Sequence, residues 1–554
     1  MRILIIGGVA GGASTAARLR RLSEKDEIII FERGTDISYA NCGIPYHIGN
    51  VIRSRKNLVL VNKHDFKKKL NIEVRLNSEV IAIDRSKKLI AINDLVNKKK
   101  YEEHYDKLVL SPGGAPIRPD IPGINDRRIF ILRNLEDMDN IITHVKNNQP
   151  QKCAIIGAGF IGLEIAENLD NLGIDVTIIE LSDQVMNLLD YEMACFIHQH
   201  LKSKNIKLYL KDGVTKIIPD QNVLTFQLNS GRKTEADMAI LAIGVRPEID
   251  LAVNAGLTIG QRKGIRVNEY LQTNDENIYA LGDATEIKDV ITENYSLIPL
   301  ANSANKQGRI VADNIIFGPK LTYDGTAATA IAKVFDLSVS SAGYNEKIIN
   351  KYNLAYNKVY LTPSSHAGYY PHASQMVFKL IYEEPGGKIL GAQIIGADGV
   401  DKRIDVIASL IHNKKTVHDL CKLELAYAPP YSSAKDPVNL AGMIAVNQLE
   451  GKNKVIYWHN VKAYLNQDTL FIDVRTKSQY EYEHIENAIN IPLEEIRDRL
   501  TELPKNKKIV LYCHQGKTAY FALRILLNNG FTNAVNLSGG YTIYQTTCQS
   551  QENV

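Results

Sequence analysis

The chain has 554 residues, 45% of them hydrophobic and 23% charged, with a formal net charge of +4. That balance is typical of a soluble globular protein, and so small a charge spread over so long a chain excludes a strongly basic nucleic-acid binder. No apolar run reaches the ~18 residues a membrane span needs, and a length of ~150 residues per domain predicts three to four cores.

The N-terminus opens directly on a strand, Arg2-Ile3-Leu4-Ile5-Ile6, with no signal-peptide pattern. Six cysteines at irregular spacing form neither a disulfide framework nor a zinc pattern, and no metal site is expected. A reducing, cytoplasmic setting is the expectation. The runs Lys67-Lys68-Lys69 and Lys98-Lys99-Lys100 read as solvated faces.

Residues 1 to 33 read as strand, Gly-rich turn, helix, strand. Gly7-Gly8-Val9-Ala10-Gly11-Gly12 follows the first strand, an Ala-rich helix runs from Ala13 to Leu22, and Ile28 to Phe31 ends at Glu32, followed by Arg33. In such a unit the glycines admit a pyrophosphate at a helix N-terminus, and the terminal acid binds a ribose. Gly7 and Gly12 stand at the first and third glycines of G-x-G-x-x-G, and Val9 stands at the second.

Beyond that unit, Ser38-Tyr39-Ala40-Asn41-Cys42-Gly43-Ile44-Pro45-Tyr46 carries one cysteine, and the next is Cys153. A C-x₄-C dithiol is therefore excluded. A lone redox thiol must pair with something outside the chain, a small thiol or an oxygen atom. A buried structural cysteine is the bland alternative, against which the Gly-Ile-Pro punctuation and the flanking nucleotide motifs both weigh.

A second βαβ unit at 152–180 has the full motif, Gly157-Ala158-Gly159-Phe160-Ile161-Gly162, then Leu163-Glu164 opening a helix and a second strand ending at Glu180. Glu180 accepts from a ribose 2′-hydroxyl and repels a 2′-phosphate, so NADH is expected ahead of NADPH. Leu241-Ala242-Ile243-Gly244 resembles the strand that returns the chain from this nicotinamide domain. Thr273 to Asp283 feeds a strand into Gly282-Asp283, whose carboxylate suits a flavin ribityl hydroxyl. The first nucleotide domain is thus split, with the second inserted in it. From about Leu321 to Ala445 the pattern is α+β without a nucleotide motif. Leu449 to Lys454 reads as a linker, followed by a compact unit of ~95 residues.

Residues 1 to about 445 resemble the flavin-dependent single-cysteine disulfide reductases, the group holding coenzyme A disulfide reductase, NADH oxidase and NADH peroxidase. The resemblance rests on the paired Gly motifs, Asn41-Cys42 with Pro45-Tyr46, and Thr273 to Asp283. Coenzyme A disulfide reductase is matched by Ala17-Arg18-Leu19-Arg20-Arg21, His366-Ala367-Gly368-Tyr369-Tyr370-Pro371 and Ala426-Tyr427-Ala428-Pro429-Pro430-Tyr431. The oxidases and peroxidases carry a histidine in the first Gly loop where this chain has Ala10. Residues from about 455 to 545 resemble a rhodanese domain through Asp473-Val474-Arg475, Val510-Leu511-Tyr512-Cys513 and Leu537-Ser538-Gly539-Gly540-Tyr541. The six-residue loop Cys513 to Thr518 has the family length, but Thr518 replaces the arginine many rhodaneses place at its end.

The resemblance implies an α/β protein with two Rossmann-like domains, FAD-binding at 1–112 and 246–320 and NAD(P)H-binding at 113–245. An α+β dimerisation domain at 321–448 and an α/β rhodanese domain at 455–548 follow. It implies a homodimer acting on a small thiol or disulfide, with no nucleic-acid or membrane partner. Cys42 would form a mixed disulfide with coenzyme A, and Tyr369 and Tyr427 would reach the other subunit's cysteine. FAD would lie against Gly7, Val9, Ala10, Gly11, Gly12, Glu32, Arg33, Gly282 and Asp283. The nicotinamide nucleotide would lie against Gly157, Gly159, Gly162, Glu164, Glu180 and Gly244. Coenzyme A would be held by Ser14, Arg18, Arg21, Ser38, Asn41 and Asn302, with Lys69 and Lys435 as further cations. Cys513 would carry a persulfide, its thiolate favoured by loop amides and the following helix.

Coenzyme A disulfide, coenzyme A persulfide and polysulfide share one mechanism and remain open as substrates. Two other readings stand beside this one: an NADH oxidase or peroxidase cycling Cys42 through a sulfenic acid, and a sulfur-trafficking module dominated by the rhodanese.

Overall fold

The apolar run at the N-terminus forms the centre of a sheet. In the computed structural model, which describes residues 1–552, strand Arg2–Ile6 lies between Glu27–Phe31 and Lys107–Leu110. Ile278–Ala280 and Glu73–Arg75 complete five parallel strands. Ile3, Leu4 and Ile5 are fully buried, as the unbroken apolar pattern of an inner parallel strand requires. Helix Ala10–Leu22 makes the first crossover and packs along helix Ala301–Phe317. The two come so close that a Cβ on Gly308 would stand 2.8 Å from the Gly11 carbonyl oxygen.

The second nucleotide motif starts a second parallel sheet, with Ile129–Ile131, Met238–Leu241, Lys152–Ile156 and Asp175–Ile179 side by side in that order. Gly114–Pro116 pairs antiparallel with Val245–Pro247, so the chain enters and leaves this inserted sheet along one two-stranded ribbon. Both sheets belong to one compact unit, residues 1–181 and 212–328.

A second unit comprises residues 182–211 and those from 329 onward. Its first sheet is antiparallel, in the order Ala330–Val334, Leu337–Gly343, Ile389–Gly396, Met376–Glu383 and Tyr356–Leu361. Its second is parallel, in the order Val455–Ile456, Ala534–Leu537, Lys508–Tyr512, Thr469–Asp473 and Ile489–Asn490. The α/β and α+β classes expected from the sequence are both present.

The stretch read as a linker is a short bracket. Helix Pro437–Leu449 ends, the Asn453 amide bonds back to the Asn447 carbonyl at 2.9 Å, and the next strand starts at Val455. Tyr457 then anchors the C-terminal domain to the antiparallel sheet. Its hydroxyl donates to the Lys358 carbonyl at 3.0 Å and bonds Asn357, and its ring lies 4.7 Å from the Lys358 ammonium.

Beside this joint lies a buried charge cluster that no sequence pattern announced. Lys379, fully buried, donates to Asp190 at 2.7 Å, to Glu192 at 2.5 Å and to Glu346. Lys358 bonds Glu346 at 2.6 Å, Tyr360 donates to Glu192 at 2.6 Å, and Gln393 donates to Asp190 at 2.6 Å. The three carboxylates are close enough together to hold a cation, and the Lys379 ammonium stands among them. Burying such ions costs several kcal/mol each and is repaid only by complete pairing. The cluster thereby clamps segment 182–192 onto the antiparallel sheet.

Lys379→Met should destabilise the second unit by about 3–5 kcal/mol, read as a lower urea midpoint, because buried Asp190 and Glu192 lose their ion-pair partner while Glu346 keeps Lys358; an unchanged midpoint would contradict this. Burial would lift Glu346, yet the two lysines hold it down at about 2 from its ordinary 4.5. A lowered folded-state value means its contribution is fully present above pH 4.5 and is lost as pH falls towards 2. Glu346→Gln should therefore flatten the acid limb of a stability–pH curve.

Candidate active site

Both glycine loops are built where a side chain cannot fit. Gly7 has φ of +93°, its amide donates to the Phe31 carbonyl at 2.9 Å, and a Cβ there would lie 2.1 Å from the Ser111 carbonyl oxygen. A Cβ on Gly12 would lie 1.9 Å from the Gly7 oxygen, and one on Gly11 would strike Leu281. Val9 is the N-cap of the helix that starts at Ala10. The second loop repeats the first: Gly157 has φ of +103°, and a Cβ on Gly162 would lie 2.2 Å from the Gly157 oxygen. A Cβ on Gly159, by contrast, would meet no protein atom within 4 Å. That open face is where a pyrophosphate approaches the backbone.

The terminal acids close the loops. Glu32 accepts from the Gly8 amide at 2.8 Å and the Gly34 amide at 2.9 Å, and Glu180 accepts from the Ala158 amide at 2.7 Å. Arg33 pairs with Glu248 at 2.5 Å. Gly244 returns from the second sheet with φ of +106°. Gly282 donates its amide to Gln307 at 2.8 Å, and Asp283 stands 3.9 Å from the Arg133 guanidinium. Burial raises the Asp283 carboxyl against that cation's pull. A half-buried carboxylate with one distant cation partner suits a hydroxyl-bearing ligand. The first loop with Asp283 fits FAD, and the second with Glu180 fits a nicotinamide dinucleotide.

Cys42 sits in the tight turn Asn41–Gly43, capped by helix Ile44–Ile48 with Pro45 in its first turn. It is exposed, so the bland reading of a buried structural cysteine fails. A cysteine nucleophile acts as its thiolate, which positive or dipolar surroundings favour, and the charges around Cys42 are of the other sign. Protein packed around the sulfur, and the charges of Glu164 and Asp283, raise the thiol above its ordinary value. Neighbouring Asn41 has a buried Oδ1 without a hydrogen-bond partner, an acceptor left for a ligand.

The coenzyme A candidates only partly gather. Ser14 donates to Asn305 at 2.5 Å, and Arg18 makes two 2.8 Å bonds to Asp313, so the facing helices Ala10–Leu22 and Ala301–Phe317 carry Ser14, Arg18 and Asn302. Arg21 is exposed on the first of these helices. Ser38 bonds the first loop through its amide and the Gly8 carbonyl, 2.9 Å apart. Lys69 lies on helix Lys63–Leu70, exposed and 3.3 Å from Asp65. Arg20 ties the end of that helix to the first by bonding the Leu70 carbonyl at 2.9 Å. Asn305 and Asp313 went unread because nothing in local sequence announces a partner 295 residues from Arg18.

In the second unit the hydroxyls of Tyr369 and Tyr427 are 3.0 Å apart, and both rings are exposed, as is Lys435. Cys513, itself buried, directly follows strand Lys508–Tyr512. The Gly516 amide donates to its Sγ at 3.1 Å, and the Tyr541 amide donates to its carbonyl at 2.8 Å. Gly540 is tight against this loop, since a Cβ there would lie 2.4 Å from the Cys513 oxygen. Arg475, paired with Asp473 at 2.6 Å, sits over the Tyr541 ring at 4.5 Å, and burial with that guanidinium keeps His514 below its ordinary value. Helix Lys517–Asn528 starts at the loop's end. Of the other thiols, Cys153 and Cys195 are buried and pushed up, Cys195 to about 12, so neither competes as a thiolate.

Two nucleotide loops around one exposed cysteine, with a separate amide-lined cysteine loop, match known proteins over the whole chain. The chain belongs to the pyridine nucleotide-disulphide oxidoreductases, whose family description it matches over residues 1–308. Residues 329–437 match that family's dimerisation domain, and residues 458–547 match the rhodanese-like domain. It is an FAD- and NAD(P)H-dependent oxidoreductase with a rhodanese domain. The coenzyme A disulfide reductase of Staphylococcus haemolyticus is 35% identical over 447 residues, 80% of this chain and 98% of the relative. The structure of reduced Bacillus anthracis CoADR-RHD superposes with a TM-score of 0.97 at 47% identity, covering 99% of this chain and 98% of that one. A NAD-dependent persulfide reductase from A. fulgidus gives 0.92 at 37% identity, covering 98% and 100%.

The loop geometry separates two substitutions. Gly12→Ala should purify depleted of FAD, because its methyl meets backbone. Gly159→Ala should retain FAD and raise the KM for NADH roughly tenfold, about 1.4 kcal/mol of lost binding. Flavin absorbance and steady-state kinetics check both, and equal flavin content in the two variants would contradict the assignment.

Proposed function

We propose that the protein reduces coenzyme A disulfide or coenzyme A persulfide with NADH, through Cys42, and that Cys513 carries sulfane sulfur as a persulfide. One observation carries the reading: a lone exposed cysteine beside two dinucleotide loops shares its chain with an amide-lined rhodanese cysteine. A relative named coenzyme A disulfide reductase matches 80% of this chain, and the CoADR-RHD and persulfide reductase structures match 99% and 98% of it.

Bound FAD would supply the transfer of two electrons from a nicotinamide hydride to the disulfide at Cys42. It would be held by Gly7, Val9, Ala10, Gly11, Gly12, Glu32, Arg33, Gly282 and Asp283. The nicotinamide nucleotide would be held by Gly157, Gly159, Gly162, Glu164, Glu180 and Gly244, with Glu180 favouring NADH. The Cys42 thiolate attacks one sulfur of the substrate disulfide. A Cys42–coenzyme A bond forms, the substrate S–S bond breaks, and a thiolate leaves. Arg18, Arg21, Lys69 and Lys435, with Ser14, Ser38, Asn41 and Asn302, neutralise and orient the phosphates of coenzyme A. Arg18 must then share its guanidinium with Asp313. In a homodimer built through the dimerisation domain, Tyr369 and Tyr427 of the partner subunit donate a proton to the leaving thiolate. At Cys513 the Gly516 amide supports the negative sulfur of a thiolate or persulfide. Among the described residues no helix is long and apolar enough to cross a membrane, and a cytoplasmic homodimer is the form proposed.

Anaerobic NADH oxidation tests this with coenzyme A disulfide, coenzyme A persulfide and oxygen in turn. Cys42→Ser should abolish turnover of both coenzyme A substrates, a loss of about 10³-fold or more. Cys513→Ser should spare coenzyme A disulfide reduction and stop thiosulfate-to-cyanide transfer. Oxygen consumption that matches the coenzyme A rates would overturn the reading in favour of an oxidase.

A further inference from the structure

The loop that carries Cys513 is held from two sides. Helix Gly540–Glu552 holds its first residues. The Tyr541 amide donates to the Cys513 carbonyl at 2.8 Å, and Thr542 donates to the His514 carbonyl through its amide at 3.0 Å and its hydroxyl at 2.8 Å. Gly516 is the second holding point. Its φ of +87° suits glycine and strains other residues, and a Cβ there would stand 3.3 Å from the Gly539 amide nitrogen. In this conformation the Gly516 amide donates to Cys513 Sγ at 3.1 Å, and its carbonyl is turned to strand Ala534–Leu537.

Asn536, on that inner strand between Val455 and Leu511, donates its side-chain amide to the Gly516 carbonyl at 3.1 Å. A carbonyl oxygen only accepts, so the nitrogen of the amide must face it. The bond is not needed to satisfy that carbonyl, which already accepts from the Tyr520 amide at 3.0 Å in the first turn of helix Lys517–Asn528. It also carries a cost. Asn536 is 4% exposed, and among the described residues nothing bonds its buried Oδ1. An orphaned buried acceptor destabilises a fold, and a β-branched apolar residue in this strand would avoid it. A buried polar side chain that makes a redundant bond against stability calls for a reason other than folding.

We propose that Asn536 is a positioning residue for Cys513: by fixing Gly516 it keeps the Gly516 amide aimed at the sulfur. The link runs from Asn536 Nδ2 to the Gly516 oxygen, through Gly516, and from its nitrogen to Cys513 Sγ, with a 3.1 Å hydrogen bond at each end. The effect falls on the reacting atom. The negative Sγ attacks the outer sulfur of a donor such as thiosulfate, a Cys513 S–S bond forms, the S–S bond of thiosulfate breaks, and sulfite leaves with its electron pair. An aimed amide favours the attacking anion. The inference rests on the proposed reading of Cys513 as a persulfide carrier.

The test is sulfur loading in a single turnover. Oxidised full-length holoenzyme is mixed with excess thiosulfate and no cyanide, sulfite release is timed, and the Cys513 peptide is weighed for one added sulfur. Asn536→Val should lower the maximal loading rate about tenfold, less than deleting a transition-state donor outright, and leave the half-saturating thiosulfate concentration within about twofold. Its urea midpoint should equal or exceed that of wild type, because the orphaned acceptor leaves with the donor. A loading rate equal to wild type would overturn the inference. So would a change confined to the half-saturating concentration, or a slower Asn536→Val whose urea midpoint is also lower. If that variant does not fold, Asn536→Ala is read by the same two constants, and a wild-type loading rate again overturns the inference. Wild-type enzyme that takes no sulfur onto Cys513 would instead overturn the carrier reading itself.

Discussion

Close backbone approach at two glycine loops is the constraint on which the first unit depends. At Gly12 and Gly162 a single added carbon would sit 1.9 and 2.2 Å from a backbone oxygen, far inside van der Waals contact. No repacking of side chains relieves that. The closeness lets each helix start directly on its strand end, which aims its N-terminal amides at one point and leaves Gly159 facing open space. The acids Glu32 and Glu180 then fix the loops by accepting from Gly8 and Ala158. Cys42, Asp283 and Glu164 surround this frame, and their positions follow from it.

The second unit solves a different problem, that of joining elements far apart in sequence. Lys379 lies 189 residues from Asp190 and 33 from Glu346, yet one buried ammonium serves both and Glu192. Such a cluster is weak as a source of net stability and strong as a determinant of arrangement, because breaking any one pair leaves a buried charge exposed to low dielectric. Tyr457 extends the same contact to the C-terminal domain through Asn357 and Lys358. Cys513 is thereby presented on a domain fastened to the antiparallel sheet, not on a loose tether.

Much of the fold could be read from the sequence, because its signals are local. Strand–glycine–helix–strand units at 1–33 and 152–180 announce parallel sheets, and the Gly282-Asp283 strand end announces the return of the split domain. The lone cysteine and the six-residue loop at Cys513 are equally local. What escaped was set by distance or by environment. Arg18 looked like an open anion ligand until the fold placed Asp313 against it. The charge cluster at Lys379 is invisible because each member is an ordinary residue until strands bring it inside. The acids Glu164 and Asp283, which raise the Cys42 thiol, come from stretches more than 100 residues away in sequence. Local pattern specifies the glycines, but the sign of the field at Cys42 depends on side chains from two separate elements.

Disulfide exchange between Cys42 and coenzyme A is the step on which the proposed reaction turns. The most direct measurement is the mass of the Cys42 peptide in oxidised holoenzyme, and again after one equivalent of NADH under anaerobic conditions. A coenzyme A adduct on Cys42 that vanishes on reduction, with one coenzyme A thiol released per adduct, is the predicted result. A Cys42 peptide carrying only oxygen, or an adduct confined to Cys513, would contradict it.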